Sequence, residues 1–359
     1  MQSHSFIGEV VALLNSKEPF TDIRIEEDAA VAVRMPSGWV QLDEPFPPDR
    51  SAIGAVLNSI DNDWQGIIQK RALNRPLNLE GWRIRVNAYL AGGGKKIMMS
   101  MRRIPHKPPT LKDSGLPPIV RVMLTAPRGL ILISGATRSG KSTSAAAMID
   151  AINETRSAHV VTIEDPIEYV FESKKSVFSQ REVGVDTESF ESGLEDALRQ
   201  CPDVILVGEI RNRETAETAL LAGESGHLVI GTLHANTAAG AIQKMLGWFN
   251  DNERNGKLQS LSSSLLGVVN QILLPKADGK GFALATEVVN NYDQEFSPML
   301  GDMAKIQNKL EGPDRKGSIM MAESIADLVN NKVVSTTDAV NSVMGMMAVR
   351  DKLKNLLRS

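Results

Sequence analysis

The sequence predicts a two-domain α/β protein whose larger, C-terminal part holds a mostly parallel sheet covered by helices. Three observations lead there. A Pro-rich stretch at 105–118 (PHKPPTLKDSGLPP) interrupts the 359 residues. Beyond it, short runs rich in Leu, Ile and Val alternate with helical stretches, the pattern of strands buried on both faces. The first of those runs is followed by a glycine loop and then a helix.

Before the stretch, residues 5–15 (SFIGEVVALLN) carry apolar positions at helical spacing. Residues 22–25 and 31–35 read as strands, and Pro36-Ser37-Gly38 as the turn leading to a third at 39–42. A second helix is expected over 51–60. Residues 82–90 and 97–104 form a hairpin around Ala91-Gly92-Gly93-Gly94, a turn long enough to move. The 105–118 stretch is expected to be an extended linker, poor in ordered hydrogen bonds. The expected domains are thus 1–104 and 119–359.

In the second domain, 130–134 is a strand, 135–140 a loop, and 141–153 a helix built from good formers. Residues 159–163, 204–208 and 228–232 are further buried strands, and 213–222 and 238–249 are helices.

Composition narrows the function classes. The chain is 42% hydrophobic and 23% charged, the balance of a soluble globular protein. Its formal net charge of −3 supplies no overall basic field for nucleic acid. The apolar runs, such as 129–134 and 204–208, are too short to span a membrane. The start MQSHSFIGEV lacks the basic and apolar segments of a secretory signal. Cys201 is the single cysteine, so no intrachain disulfide can form, which fits a reducing compartment.

The strongest motif is Gly135-Ala136-Thr137-Arg138-Ser139-Gly140-Lys141-Ser142, a complete G-x-x-x-x-G-K-[ST] with the required strand before and helix after. Glycines let backbone N–H groups converge without a side chain in the way. Those donors and the positive helix end cradle phosphate oxygens. Lys141 can reach the β- and γ-phosphates, and the Ser142 hydroxyl can ligate Mg²⁺. Arg138 adds a cation that either meets the γ-phosphate or faces solvent. Solvent is the better-supported reading, because side chains at variable loop positions mostly point outward.

Acids follow at strand ends, where ligands of open α/β sheets bind. Glu164 and Asp165 follow one strand (VVTIEDPIEY), and Glu209 follows another (DVILVGEIR). A carboxylate there can activate water or hold Mg²⁺ through its hydration shell. Phosphate-loop enzymes usually place an Asp where this chain has Gly208, so Glu209 takes over part of that role. Asp165, before Pro166, also reads as a solvated cap. His234 ends the 228–232 strand where a γ-phosphate sensor would sit. His227 starts that strand, on the opposite side of the sheet, and reads as structural.

In order, GATRSGKST, TIEDPIEYV, QREVGVDTESF, ALRQCPDVILVGEIRNRET and GHLVIGTLHANTA resemble the PilT-like branch of secretion and pilus ATPases. TDIRI, RIRVN and RRIP in the first domain resemble it too. The resemblance implies a PAS-like N-terminal domain, a RecA-like ATPase domain and a homohexameric ring using ATP and Mg²⁺. It implies that Lys141, Ser142 and Thr143 bind phosphates and Mg²⁺. By the same likeness, Glu164 is the catalytic carboxylate, Glu209 the Walker B glutamate and His234 the functional histidine. Arg85 and Arg102 match arginines that close over the nucleotide. Arg199 and Arg211 fit basic motif positions, with subunit contacts as the alternative.

The sequence departs from the family at three places. Gly is usual at the place of Arg138, and Asp at that of Cys201. The segment 324–329 (SIADLV) lacks the arginine of the AIRNLI-type motif of retraction motors, which leaves room for a conjugation or type IVB secretion motor. The implied partner is an inner-membrane platform or secretion-complex protein, met from the cytoplasmic face, with no direct nucleic-acid binding. The competing readings are a RecA-like nucleic-acid translocase, a nucleotide-binding assembly scaffold and a small-molecule kinase.

Overall fold

A computed structural model describes residues 6–43, 47–79 and 82–358. Ser5, where the first expected helix begins, lies outside them. The chain divides into two units, the first running to Lys107 and taking in Asp278–Gly281, the second comprising Pro108–Ala277 and the residues from Phe282 onward.

The first unit runs α1 (Phe6–Asn15), β1 (Asp22–Glu26), β2 (Ala32–Met35), β3 (Gly38–Gln41), α2 (Arg50–Asn58), α3 (Trp64–Ile68), β4 (Leu73–Leu79), β5 (Trp82–Ala91) and β6 (Lys96–Pro105). Its sheet has the order β3-β2-β1-β6-β5-β4, with antiparallel pairs throughout. The period-2 alternation of β5 turns Ile84, Val86 and Ala88 into a core shared with Val10 and Leu14 of α1 and Ile53 and Leu57 of α2. Asp49 caps α2 by accepting from Ala52 N at 2.7 Å. The sequence reading lacks β4 because Pro76 interrupts it. The strand tolerates that proline by lying at the sheet edge, where one side needs no ladder donor.

A buried cation anchors this unit. The Arg103 guanidinium lies between the rings of Phe20 (3.9 Å) and Trp82 (4.2 Å). It donates to the carbonyls of Leu14, Ser16, Glu18 and Phe20. Burial pushes its pKa below the ordinary arginine range. The adjacent arginines of RRIP therefore divide: Arg103 holds the chain leaving α1, while Arg102 pairs with Asp22 at 2.9 Å.

The second unit begins with a departure from the expected extended linker. Ser114 N donates to Thr110 O at 2.9 Å and Thr110 Oγ1 to Asp113 Oδ2 at 2.7 Å, closing a turn. Leu111 and Leu116 are buried, and apolar anchors of this kind offset the entropy of ordering a Pro-rich segment. There follow α4 (Ile119–Met123), β7 (Gly129–Ser134), α5 (Lys141–Thr155), β8 (His159–Glu164), β9 (Val177–Glu182), α6 (Phe190–Ala197), β10 (Val204–Val207), α7 (Arg213–Glu224), β11 (Leu228–Leu233), α8 (Ala238–Gly247), α9 (Asp251–Ser264), β12 (Leu265–Pro275) and β13 (Phe282–Asn290). Four helices close the unit: α10 (Met303–Glu311), α11 (Met321–Asn330), α12 (Thr336–Ser342) and α13 (Met347–Leu356).

The sheet order is β13-β12-β7-β11-β10-β8-β9. Only the β12–β13 pair is antiparallel among these neighbours. Every residue of β7, β10 and β11 is buried, as strands covered on both faces require. The parallel order brings the carboxyl ends of β7, β11, β10 and β8 side by side. No helix among the described residues is long and apolar enough to cross a membrane.

Candidate active site

β7 delivers the chain to Gly135, whose φ is +150°. A Cβ there would stand 2.4 Å from Ser139 Oγ and 2.5 Å from the Gln271 carbonyl oxygen, so the loop closes only around glycine. Gly140, at φ +87°, turns the chain into the first residue of α5. The loop thus presents amides at a helix N-terminus, a site made for phosphate. Arg138 is also left-handed, at φ +68°, with an exposed side chain. Glycine suits this position because it adopts that backbone without strain.

Lys141 folds back over the loop. Its Nζ donates to Gly135 O and Ala136 O, both at 2.9 Å, and lies 3.4 Å from His234 Nδ1. Burial lowers its pKa from the ordinary lysine range, opposed by the charges of Glu209 and Glu168. An ammonium can only donate, so this contact suits the tautomer in which His234 Nδ1 accepts and Nε2 bears the hydrogen. That nitrogen lies 3.2 Å from Glu209 Oε1. The other oxygen of Glu209 forms an ion pair with Arg211 Nε at 2.8 Å, and Arg211 Nη1 is 3.6 Å from Asp165 Oδ2. Lys141, His234, Glu209, Arg211 and Asp165 therefore form a continuous polar chain over the tips of β7, β11, β10 and β8. Asp165, exposed as a solvated cap would be, forms the end of this chain.

Gly208 explains why the usual Asp is missing. A Cβ there would fall 2.9 Å from the Ile163 carbonyl oxygen and 3.2 Å from Glu164 Cα. Gly208 N donates to Ile163 O at 2.7 Å, and its own carbonyl accepts from Thr232 Oγ1. This close approach sets the tips bearing Glu164 and Glu209 against each other. Glu164 Oε1 accepts from Thr162 Oγ1 at 2.8 Å and Gln180 Nε2 at 3.4 Å. Burial dominates and raises its carboxyl pKa to about 7, against the lowering effect of those donors.

Ser142 is exposed on the first turn of α5, and Thr143 Oγ1 lies 3.3 Å from the Tyr169 hydroxyl. Four contributors escaped the sequence reading: Thr162, Gln180, Asn270 and Gln271. Asn270 Nδ2 donates to Ser134 Oγ and to Ala235 O, both at 2.9 Å, tying the end of β7 to the loop bearing His234. An Asn-Gln pair inside the apolar run LLGVVNQILLP was the available signal, since buried amides need partners.

The family model described as "Type II/IV secretion system protein" matches residues 111–353. The chain belongs to that family. A twitching motility protein of Neisseria gonorrhoeae is 39% identical over 299 residues, covering 80% of this chain and 78% of its own. The type IV pilus ATPase PilU of Pseudomonas aeruginosa is 41% identical over 264 residues, covering 73% and 67%. Among solved structures, the pilus retraction motor PilT with bound ADP has a TM-score of 0.79 at 34% identity, covering 93% of this chain and 96% of its own. The Legionella pneumophila ATPase DotB has a TM-score of 0.81 at 26% identity, covering 94% of each.

Like these members of the type II/IV secretion family, the chain is a nucleotide-binding ATPase of the pilus and secretion class. Its candidate residues fall in both units. Lys141, His234 and Glu209 meet directly, and Glu164 stands on the neighbouring strand tip. Arg85 and Arg102 lie opposite each other on β5 and β6 of the first unit. His227 bonds within its own turn, Nδ1 being 3.1 Å from Ala222 O. Arg199 is exposed and lies 4.0 Å from Asp196.

Proposed function

We propose that this chain is the motor subunit of a homohexameric ring that drives a type IV pilus, conjugation or type IV secretion machine. The ring works at the cytoplasmic face of the inner membrane against a platform or secretion-complex protein. The observation that carries this reading is the polar chain from Lys141 to Asp165, laid over adjacent strand tips beside a complete phosphate loop.

The amides of residues 135–143 grip the phosphates of ATP. Lys141 leaves the Gly135 and Ala136 carbonyls for phosphate oxygens, which deprives His234 Nδ1 of its donor. The histidine thereby reports nucleotide to Glu209 through Nε2. Glu164 takes a proton from the attacking water, a role suited by a carboxyl poised near neutrality. The hard oxygens of Ser142 and Glu209, the latter through water, fit Mg²⁺, which binds few protein ligands beside its phosphates. When bound, that ion neutralises charge between the β- and γ-phosphates. Arg85 and Arg102, which match arginines that close over the nucleotide in the family, supply cations to the developing charge. The net charge of −3 supports a protein partner over nucleic acid.

Lys141→Ala removes a phosphate clamp and a stabiliser of the transferring group, so turnover should fall by at least ~100-fold. Steady-state phosphate release checks this, and near-parental hydrolysis by the variant would remove the assignment.

A further inference from the structure

Gln271 lies midway along β12, completely buried beside Asn270 in a largely apolar run. Its side-chain Nε2 donates to the Ser139 carbonyl at 2.7 Å. The phosphate loop closes around this one residue at both ends. The Gln271 main-chain oxygen is 2.5 Å from where a Gly135 Cβ would stand, and Nε2 is 3.3 Å from where a Gly140 Cβ would stand.

The consequence follows from peptide geometry. In a planar trans peptide, the carbonyl of one residue and the N–H of the next point in opposite directions. Holding the Ser139 carbonyl against β12 therefore turns the Gly140 N–H away from β12. Glycine at 140 has no side chain to fix that plane, and its left-handed backbone is one of several it adopts freely. A buried donor to Ser139 removes this freedom before nucleotide arrives.

We propose that Gln271 is a positioning residue for nucleotide binding, presetting the Gly140 amide toward the phosphates. The inference rests on residues 135–143 being the nucleotide site. Gln271→Met keeps the unbranched shape and removes the donor. Its dissociation constant for ADP and its KM for ATP should both rise about tenfold, with kcat within about threefold of the parent, because ground and transition states lose the same grip. A fall in kcat with KM and ADP affinity unchanged marks a merely structural role and overturns the proposal, as does parental behaviour in all three.

Gln271→Glu supplies a second readout. Its carboxyl donates to Ser139 O only when protonated, so its ADP dissociation constant, taken relative to the parent's, should fall as pH is lowered. A pH-independent ratio contradicts the inference. Failure of the underlying site reading looks different: ADP binding to the parent protein would then be insensitive to Lys141→Ala.

Discussion

Arg138 holds φ +68° in a loop where its neighbours Gly135 and Gly140 also have positive φ. A left-handed backbone costs an L-residue roughly 1–2 kcal/mol, whatever its side chain touches. Comparing Arg138→Gly with Arg138→Ala isolates this cost, because both variants lose the guanidinium and only Ala keeps the strained Cβ. The Gly variant should be the more stable by about 1 kcal/mol, reversing the usual order of these residues; denaturant titration of the two decides it. Glu164 carries a second prediction. Its carboxyl ordinarily titrates near 4.5 and is raised to about 7 in the fold. Between those values the folded state holds more protons than the unfolded one. The group's stabilising contribution is thus complete below 4.5 and lost as pH rises through about 7. Glu164→Gln should therefore gain stability over the parent on the alkaline side and match it in acid. The same variant should lose the rise of kcat with pH near 7, leaving a low, flat profile; a profile like the parent's would assign the proton transfer elsewhere.

At the scale of elements, the tip of β10 is built around the absence of a side chain at Gly208. Gly208→Asp installs the acid most phosphate-loop enzymes carry there, yet its Cβ would meet the Ile163 carbonyl at 2.9 Å. The β8 tip must then move, taking Glu164 from Glu209. We expect a loss of about 1–3 kcal/mol in stability and at least ~10-fold in turnover. A variant as active as the parent would show that the contact between the two tips is dispensable. The elements legible in the sequence were those whose own residues state their burial. Runs such as GLILIS and VILVG are buried because nothing in them wants water, and β5 alternates plainly. The illegible ones were decided by neighbours. β4 accepts Pro76 because it ends a sheet, and α9 (DNERNGKLQSLSSS) carries few apolar residues and buries only Leu261 and Ser264. The sheet's antiparallel margin, β12 and β13, depends on pairing 265–275 with 282–290 and with β7.

For the whole molecule, the proposed ring predicts that activity depends on assembly. If assembly sets the working conformation, the rate per subunit should rise steeply with protein concentration and saturate as a six-subunit species accumulates. Sedimentation alongside the ATPase assay tests this; a constant specific rate across dilution, with only monomer present, argues against the ring. By itself the sequence determined which residues could do the chemistry. Gly135–Gly140, Lys141, Ser142, Glu164, Glu209 and His234 declare themselves through residue type, spacing and position at strand ends, because phosphate, metal and proton chemistry admit few alternatives. What only the tertiary structure decided is how those residues hold one another. The Lys141–His234–Glu209–Arg211–Asp165 chain joins the first residue of α5 to residues just past the ends of β11, β10 and β8, and Gln271 reaches the phosphate loop from a strand 132 positions away in sequence. A buried donor or acceptor is meaningful only through its partner, and partners chosen across a sheet are set by strand order, which local sequence does not carry.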